Sequence, residues 1–138
     1  MRLFLSCLFM MCSYLYAQTI AIALNDDFRY VKASPFMEYV ADENSSLSIE
    51  TIDSAQWKPM LSSNLGGLND YPSWTKCTIK NTSDSTKALM IKNPRANMDE
   101  IDLYILRDNE ITIRKLGDKY PIDAKNIPHS YSVELLEL

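Results

Sequence analysis

Apolar residues recur at every second position through much of the chain, and short runs of turn-forming residues separate these stretches. The clearest case is EIDLYILRD, residues 100–108, in which Ile101, Leu103 and Ile105 share one parity. A period of two is typical of β-strands, whereas the apolar positions of a helix recur at three and four. The chain therefore predicts an all-β sandwich of short strands with one minor helix.

The same pattern predicts the order of the elements. Asp108-Asn109 is a two-residue hairpin turn, and the strand that follows pairs back with Ile111 and Ile113 pointing inward. A helical turn begins near Ser48 and ends at Pro59, because proline stops a helix. The other expected elements are a first strand over 36–40, a loop over 61–72, strands over 74–80 and 87–93, with the second of these buried, and a last strand over 129–138.

The strand SWTKCTIK, residues 73–80, raises a question about its two faces. Cys77 and Ile79 fall on the parity expected for the core, while Trp74 and Lys76 fall on the other. A large aromatic residue on the non-core face has two interpretations. Trp74 either covers one end of the sandwich or belongs to a surface that contacts a ligand.

Size and charge limit the function. The chain has 138 residues, of which 46% are hydrophobic and 23% charged, as expected for one globular domain. Its formal net charge is −4. Nucleic-acid-binding domains need a basic footprint, so this charge argues against a nucleic acid as partner.

The first residues, MRLFLSCLFMMCSYLYAQ, predict a secretory signal peptide over 1–17, followed by a linker over 18–33 and a domain over 34–138. The apolar run is too short to span a bilayer. A second cleavage point after Ala23 and an uncleaved N-terminal anchor remain alternatives. Cleavage would leave Cys77 as the only cysteine, so we expect an exported domain without an internal disulfide and with Cys77 buried.

An ordered set of short motifs resembles a known family. The motifs are LSIETI, GLNDYPSWTKCTIKNTS, LMIKNPRANMDEIDLYI, KLGDKYPI and IPHSYSVEL. Together they resemble the second type of extracellular domain of 7TMR-DISM proteins, which are bacterial seven-helix receptors with diverse intracellular signalling modules. The resemblance covers residues 34–138 and implies a jelly-roll sandwich, similar to carbohydrate-binding modules, in the periplasm or on the outer side of the inner membrane. Because the motifs stop before a membrane region, the chain is expected to be a receptor fragment, a truncated gene product or a free-standing domain.

This resemblance, combined with strand parity, predicts a ligand site. Trp74 and Lys76 share a face, and the resemblance implies a neighbouring strand with Asp102 and Tyr104, beside a loop with Arg95. Aromatic rings stack on the apolar faces of sugars, while charged groups hydrogen-bond to hydroxyls. The alternative is that Trp74 caps the core and that Lys76 and Arg95 are solvated.

Two other features each have a functional and a structural interpretation. Asn44-Ser45-Ser46 is a glycosylation acceptor or an unmodified turn, and His129 is a pH-sensitive group or a structural hydrogen-bond partner. The sequence has no phosphate-binding loop, metal-spaced His/Cys cluster or nucleophile elbow. We therefore expect no enzyme activity, no catalytic residue, no metal and no cofactor.

Two functions remain open. The first is an extracytoplasmic sensor domain of a seven-transmembrane receptor, which binds carbohydrate or another small polar ligand. The second is a structural or protein-interaction sandwich of a receptor complex, without a small-molecule site.

Overall fold

A computed structural model describes residues 20–60, 70–94, 98–125, 127 and 132–138. The expected signal peptide, Arg95 and His129 lie outside these residues. The described chain contains nine β-strands and three single-turn 3₁₀ helices, so the predicted all-β class is confirmed. None of its helices is long and apolar enough to cross a membrane. The chain divides into two compact units, Met1–Lys80 and Asn81–Leu138.

The first unit is built around a three-stranded antiparallel sheet. The central strand lies between two others, and two further strands pair separately. The sheet consists of β2 (Glu38–Ala41), flanked by β3 (Lys58–Pro59) and β4 (Ser73–Lys76), and the separate pair consists of β1 (Ile22–Leu24) and β5 (Ile79–Asn81). Ile22, Leu24 and Ile52 are the buried apolar side chains of this unit among the described residues.

The expected continuous strand over 74–80 is wrong, because the strand is interrupted at Cys77 and Thr78. There β4 ends at Lys76, and β5 begins at Ile79 with a different partner. The alternation of side chains between the two strand faces is therefore not maintained at Cys77. The side chain of Cys77 is half-buried, and burial raises the pKa of its thiol, so the reactive thiolate is scarce near neutral pH.

The predicted helical turn exists but is shorter than expected. The Ser48 backbone N–H donates to Thr51 Oγ1 at 2.9 Å, and the Ile52 N–H donates to the Ser48 carbonyl at 2.9 Å. A 3₁₀ helix follows at Ile52–Ser54, and Pro59 does not end it. Pro59 instead lies in β3, which within the described residues pairs only with β2, and an edge strand tolerates a residue without an N–H.

The second unit contains two antiparallel ribbons. One pairs β6 (Ala88–Asn93) with β9 (Ser132–Glu137), and the other pairs β7 (Ile101–Arg107) with β8 (Glu110–Leu116). The predicted hairpin turn is confirmed: Asp108 and Asn109 have φ angles of 51° and 65°. Two consecutive left-handed residues form the type I′ turn, whose twist matches that of the strands.

The expectation that Ile111 and Ile113 point inward is wrong. The two-residue turn pairs Ile111 with Leu106 and Ile113 with Tyr104. Ile111 and Ile113 therefore lie on the face opposite Ile101, Leu103 and Ile105, with 52% and 47% of their surface exposed. Because sides alternate strictly along a strand, the register set by the turn decides the face of every residue. We call this surface the outer face of the hairpin; it comprises Asp102, Tyr104, Leu106, Ile111, Ile113 and Lys115.

The strand over 87–93 is also less buried than expected. Along β6 half-buried Leu89 and Ile91 alternate with exposed Ala88 and Met90, so only one face is covered. An ion pair with a buried carboxylate joins the two ribbons: the Arg114 Nε donates to Glu134 Oε1 at 3.2 Å, and Glu134 is 1% exposed.

A close backbone approach follows β8. Gly117 has a φ angle of 110° and is buried. The backbone N–H groups of the next two residues, Asp118 and Lys119, donate to the carbonyls of Met98 and Asp99 at 2.9 and 2.8 Å. These bonds hold the chain after β8 against the segment that leads into β7.

Candidate functional site

The predicted site residues are divided between the two units. Trp74 and Lys76 lie on β4 of the first unit, and Asp102 and Tyr104 lie on β7 of the second. Arg95 lies outside the described residues. A surface formed by all five residues together therefore stays a prediction.

Lys76 is engaged within its own sheet. It stands opposite Glu38 on β2, and its Nζ lies 3.4 Å from the Glu38 carboxylate. The same Nζ lies 4.2 Å from the centre of the Trp57 ring, which is a cation–π contact. The ammonium group thus has an anion and an aromatic ring as neighbours, and this arrangement favours a structural role for Lys76.

Trp74 lies on the same side of the sheet, opposite Val40. Its side chain is half-buried, and its indole group helps to lower the pKa of the nearby Asp42 carboxyl. We call the side of the sheet that holds Glu38, Val40, Trp74 and Lys76 the tryptophan face. Its two charged groups, Lys76 and Glu38, contact each other, as expected if Trp74 covers part of the core.

The side chain of Asp42 holds the turn after β2 together through hydrogen bonds. It is 4% exposed, and its carboxylate accepts the N–H groups of Ser46 at 2.9 Å and Leu47 at 3.0 Å. Burial alone would raise the pKa of Asp42, but these backbone donors, the Trp74 indole and the Ser46 side chain outweigh it and hold the pKa below its ordinary value.

This carboxylate makes stability depend on pH. A carboxyl whose pKa is lower in the folded state stabilises the fold above its unfolded pKa, and that contribution disappears as pH falls through the folded pKa. We expect Asp42→Asn to lower the free energy of unfolding at pH 7, with a difference from the original protein that shrinks as the pH falls below about 4. Urea unfolding at pH 7, 5 and 3 measures this difference. Asp53→Asn, at an exposed carboxylate, is the control, and a pH-independent difference for Asp42→Asn would contradict the prediction.

A groove lies on the opposite side of the same sheet. Tyr39 and Ala41 of β2 and Ser73 of β4 face this side, because they alternate with the residues of the tryptophan face. The concavity measures about 320 Å³ and is lined by Tyr39, Val40, Ala41, Glu43, Gln56, Lys58, Tyr71 and Ser73. We call it the tyrosine groove. Small side chains at Ala41 and Ser73 leave space that the two tyrosines flank.

The tyrosine groove differs from the tryptophan face in its chemistry. Within the described ranges, no hydrogen bond or ion pair engages the side chains of Glu43, Gln56, Lys58 or Ser73. A carboxylate, an amide, an ammonium and a hydroxyl thus lie around the groove beside two half-buried tyrosines. Polar groups around an aromatic-lined concavity are what a small polar ligand requires, and the volume is at the lower end for ligand pockets.

Sequence reasoning missed this groove. Tyr39, Lys58 and Tyr71 are far apart in sequence, and they meet only because β2 pairs with both β3 and β4. One signal was available in the parity of β4, where Ser73 and Thr75 alternate with Trp74 and Lys76 and therefore belong to another surface.

On β7, Asp102 is engaged with the neighbouring strand. The Lys115 Nζ donates to Asp102 Oδ2 at 2.6 Å, directly across the ribbon. This hydrogen bond is the main cause that raises the pKa of Lys115. Tyr104, two residues further along the outer face, is half-buried. Both residues do lie on the outer face, as the parity predicted.

Two remaining predictions concern modification and metals. Asn44 is exposed in the turn after β2, so its position is accessible, and glycosylation stays a prediction. Among the described residues, no group of His, Cys, Asp and Glu side chains is arranged to hold a metal ion.

Comparison with known proteins identifies a family. Residues 34–138 match the family model described as 7TMR-DISM extracellular 2, which confirms the resemblance seen in the sequence motifs. No curated protein and no solved structure matches the chain. Domains of the matched family form sensor regions of receptors and lie outside the cytoplasm.

Proposed function

Because the chain belongs to the 7TMR-DISM extracellular 2 family, we propose that it is the ligand-sensing domain of a seven-transmembrane signalling receptor and is exported to the periplasmic side of the inner membrane. In this proposal the domain is a binding module without catalytic activity, metal or cofactor, and it has no nucleic-acid partner. Its ligand is a small polar molecule of the carbohydrate class. The observation that carries the ligand assignment is the tyrosine groove.

The groove supports a carbohydrate-class ligand through its mixture of surfaces. Tyr39 and Tyr71 offer aromatic faces for the apolar C–H side of a sugar ring. Glu43 accepts hydrogen bonds from hydroxyl groups, and Lys58 and Gln56 donate them. The acidic and basic side chains occur once each, so the groove favours a ligand with many hydroxyl groups over a strongly charged one.

The test is a binding screen with a matched pair of tyrosine variants. A panel of mono- and disaccharides, with polar metabolites as a second group, is titrated by calorimetry into the original protein. We expect Tyr71→Ala to weaken binding of any hit by about 1–3 kcal/mol, as is typical of aromatic anchors in binding sites. Tyr30→Ala should leave binding unchanged, because Tyr30 is 84% exposed and does not line the groove.

The variants also distinguish the groove from the surface that the sequence predicted. If Lys76→Met abolishes binding while Tyr71→Ala does not, the ligand binds on the tryptophan face and the groove assignment is wrong. If no compound of the panel binds to a protein that unfolds cooperatively, the carbohydrate assignment fails. The alternative of a protein-interaction sandwich then gains support, because Leu106, Ile111 and Ile113 are exposed apolar residues on the outer face.

A further inference from the structure

The β7–β8 hairpin has an open edge along β8. In the described part of the chain, β8 pairs with β7 alone, and no other backbone hydrogen bond involves Glu110–Leu116. Five of its seven residues are exposed, including Ile111 and Ile113. A long, exposed edge strand with apolar side chains is a template for pairing with another strand, and proteins normally protect such an edge with a bulge, a proline or a cover.

The turn determines which backbone groups face this edge. A two-residue loop makes its flanking residues, Arg107 and Glu110, a hydrogen-bonded pair. Alternate residues of β8 therefore bond to β7, beginning with Glu110. The N–H and C=O groups of Ile111, Ile113 and Lys115 consequently point away from β7 and are available to a second strand.

The sequence of this edge is complementary to itself. Residues 110–114 read Glu-Ile-Thr-Ile-Arg. When two copies run antiparallel with Thr112 opposite Thr112, Glu110 of each copy faces Arg114 of the other, and Ile111 faces Ile113. In this register Ile111 and Ile113 face each other, and they are also residues whose backbone groups point away from β7. The same register therefore allows both the backbone hydrogen bonds and the favourable side-chain pairs between the copies.

We propose that two copies of this chain associate through their β8 edges in that register. The product is a continuous sheet in the order β7, β8, β8, β7, with two Glu110–Arg114 pairs between the copies. Four isoleucines then meet in one apolar strip on the outer face, which reduces the exposure that each hairpin has alone. The proposal is independent of the ligand in the tyrosine groove.

Registers shifted towards the C-terminal end of β8 are less favourable. A shift by two residues in one direction places Ile111 opposite the charged Lys115, and a further shift places Arg114 opposite Arg114. Like charges directly opposite each other destabilise a strand pair. The ion pair within the chain does not block the proposed register, because Arg114 contacts Glu134 through its Nε, its side chain is 46% exposed, and a guanidinium has five donors.

The test uses charge reversal and mixing. The chain, expressed from residue 1 and purified after export, is examined by sedimentation equilibrium over a wide concentration range. We expect the mass to rise with concentration from that of the monomer to that of the dimer. Glu110→Arg should weaken dimerisation about tenfold or more, because it places two like-charge pairs where two opposite-charge pairs stood. Arg114→Glu should do the same.

Mixing the two single variants separates the proposed register from a general effect of charge. A heterodimer of Glu110→Arg with Arg114→Glu has opposite charges at both positions, so the equimolar mixture should dimerise while each variant alone does not. The double variant should also regain the dimer. If Arg114→Glu fails to fold by circular dichroism, Glu110→Arg still tests the proposal by itself, because it leaves the Arg114–Glu134 pair intact. A protein that stays monomeric at every concentration, or a Glu110→Arg variant that dimerises normally, would overturn the proposal.

Discussion

Replacing Gly117 with alanine should lower the free energy of unfolding by about 2–4 kcal/mol. A methyl group at this position would lie 2.5 Å from the Asp99 carbonyl oxygen and 2.9 Å from the Cα of Glu100, distances that side chains do not tolerate. The φ angle of 110° is also one that residues with a Cβ rarely adopt. The contacted atoms belong to the backbone, so no side chain can move to relieve the contact.

Urea unfolding of the variant measures this loss, and Asp118→Ala is the matched control. Asp118 is the next residue and is exposed, so removal of its side chain tests the same turn without adding a Cβ to Gly117. We expect the control to change stability by less than about 0.5 kcal/mol. Equal effects of the two substitutions would contradict the assignment of a tight backbone approach. This glycine lies in the KLGDKYPI motif, and the close approach gives a physical reason for its presence there.

Trp74→Ala should cost about 2–4 kcal/mol of folding free energy. Full removal of a buried tryptophan side chain costs more, but Trp74 is half-buried. The substitution also removes an indole group that helps to lower the pKa of Asp42, a carboxyl that is itself buried. Weaker stabilisation of the charged Asp42 carboxylate adds to the loss of apolar contacts.

Thr75→Ala is the control for Trp74→Ala, because Thr75 is the next residue on β4 and is exposed. Thermal unfolding is measured for both variants alongside the binding screen. A stable Trp74→Ala protein that has lost its ligand would support the site predicted from the sequence, with Trp74 as a surface platform. A large loss of stability with intact binding would support the structural role.

The parts of the fold that could be predicted are those with local causes. The hairpin turn was predictable because Asp108 and Asn109 tolerate left-handed backbone conformations, and the period of two indicated the strands. The face of Ile111 and Ile113 was not predicted correctly, because it depends on how the turn sets the register. The break at Cys77 also escaped prediction, since the two halves of that segment pair with different strands.

In the candidate site, too, local features could be predicted from the sequence, whereas features that depend on strand pairing could not. Aromatic and charged residues near Trp74 could be recognised from the sequence, but their partners could not. Lys76 meets Glu38 and Trp57 only because β2 and β4 are paired, and no spacing in the sequence reveals that pairing. The tyrosine groove requires the same information, so a search by parity within one strand identified only one face of the sheet.

The strand pairing of the second unit has a consequence for the order in which the chain folds. The β7–β8 hairpin closes over a short, continuous segment with a preorganised turn, and such hairpins form within microseconds. The β6–β9 ribbon instead joins Ala88 to Glu137 and encloses the hairpin within its loop. Contacts between distant segments form slowly, since the chain must lose more entropy to close the loop. During synthesis, β6 therefore has no partner until β9 has emerged, whereas β7 meets its partner as soon as β8 is complete.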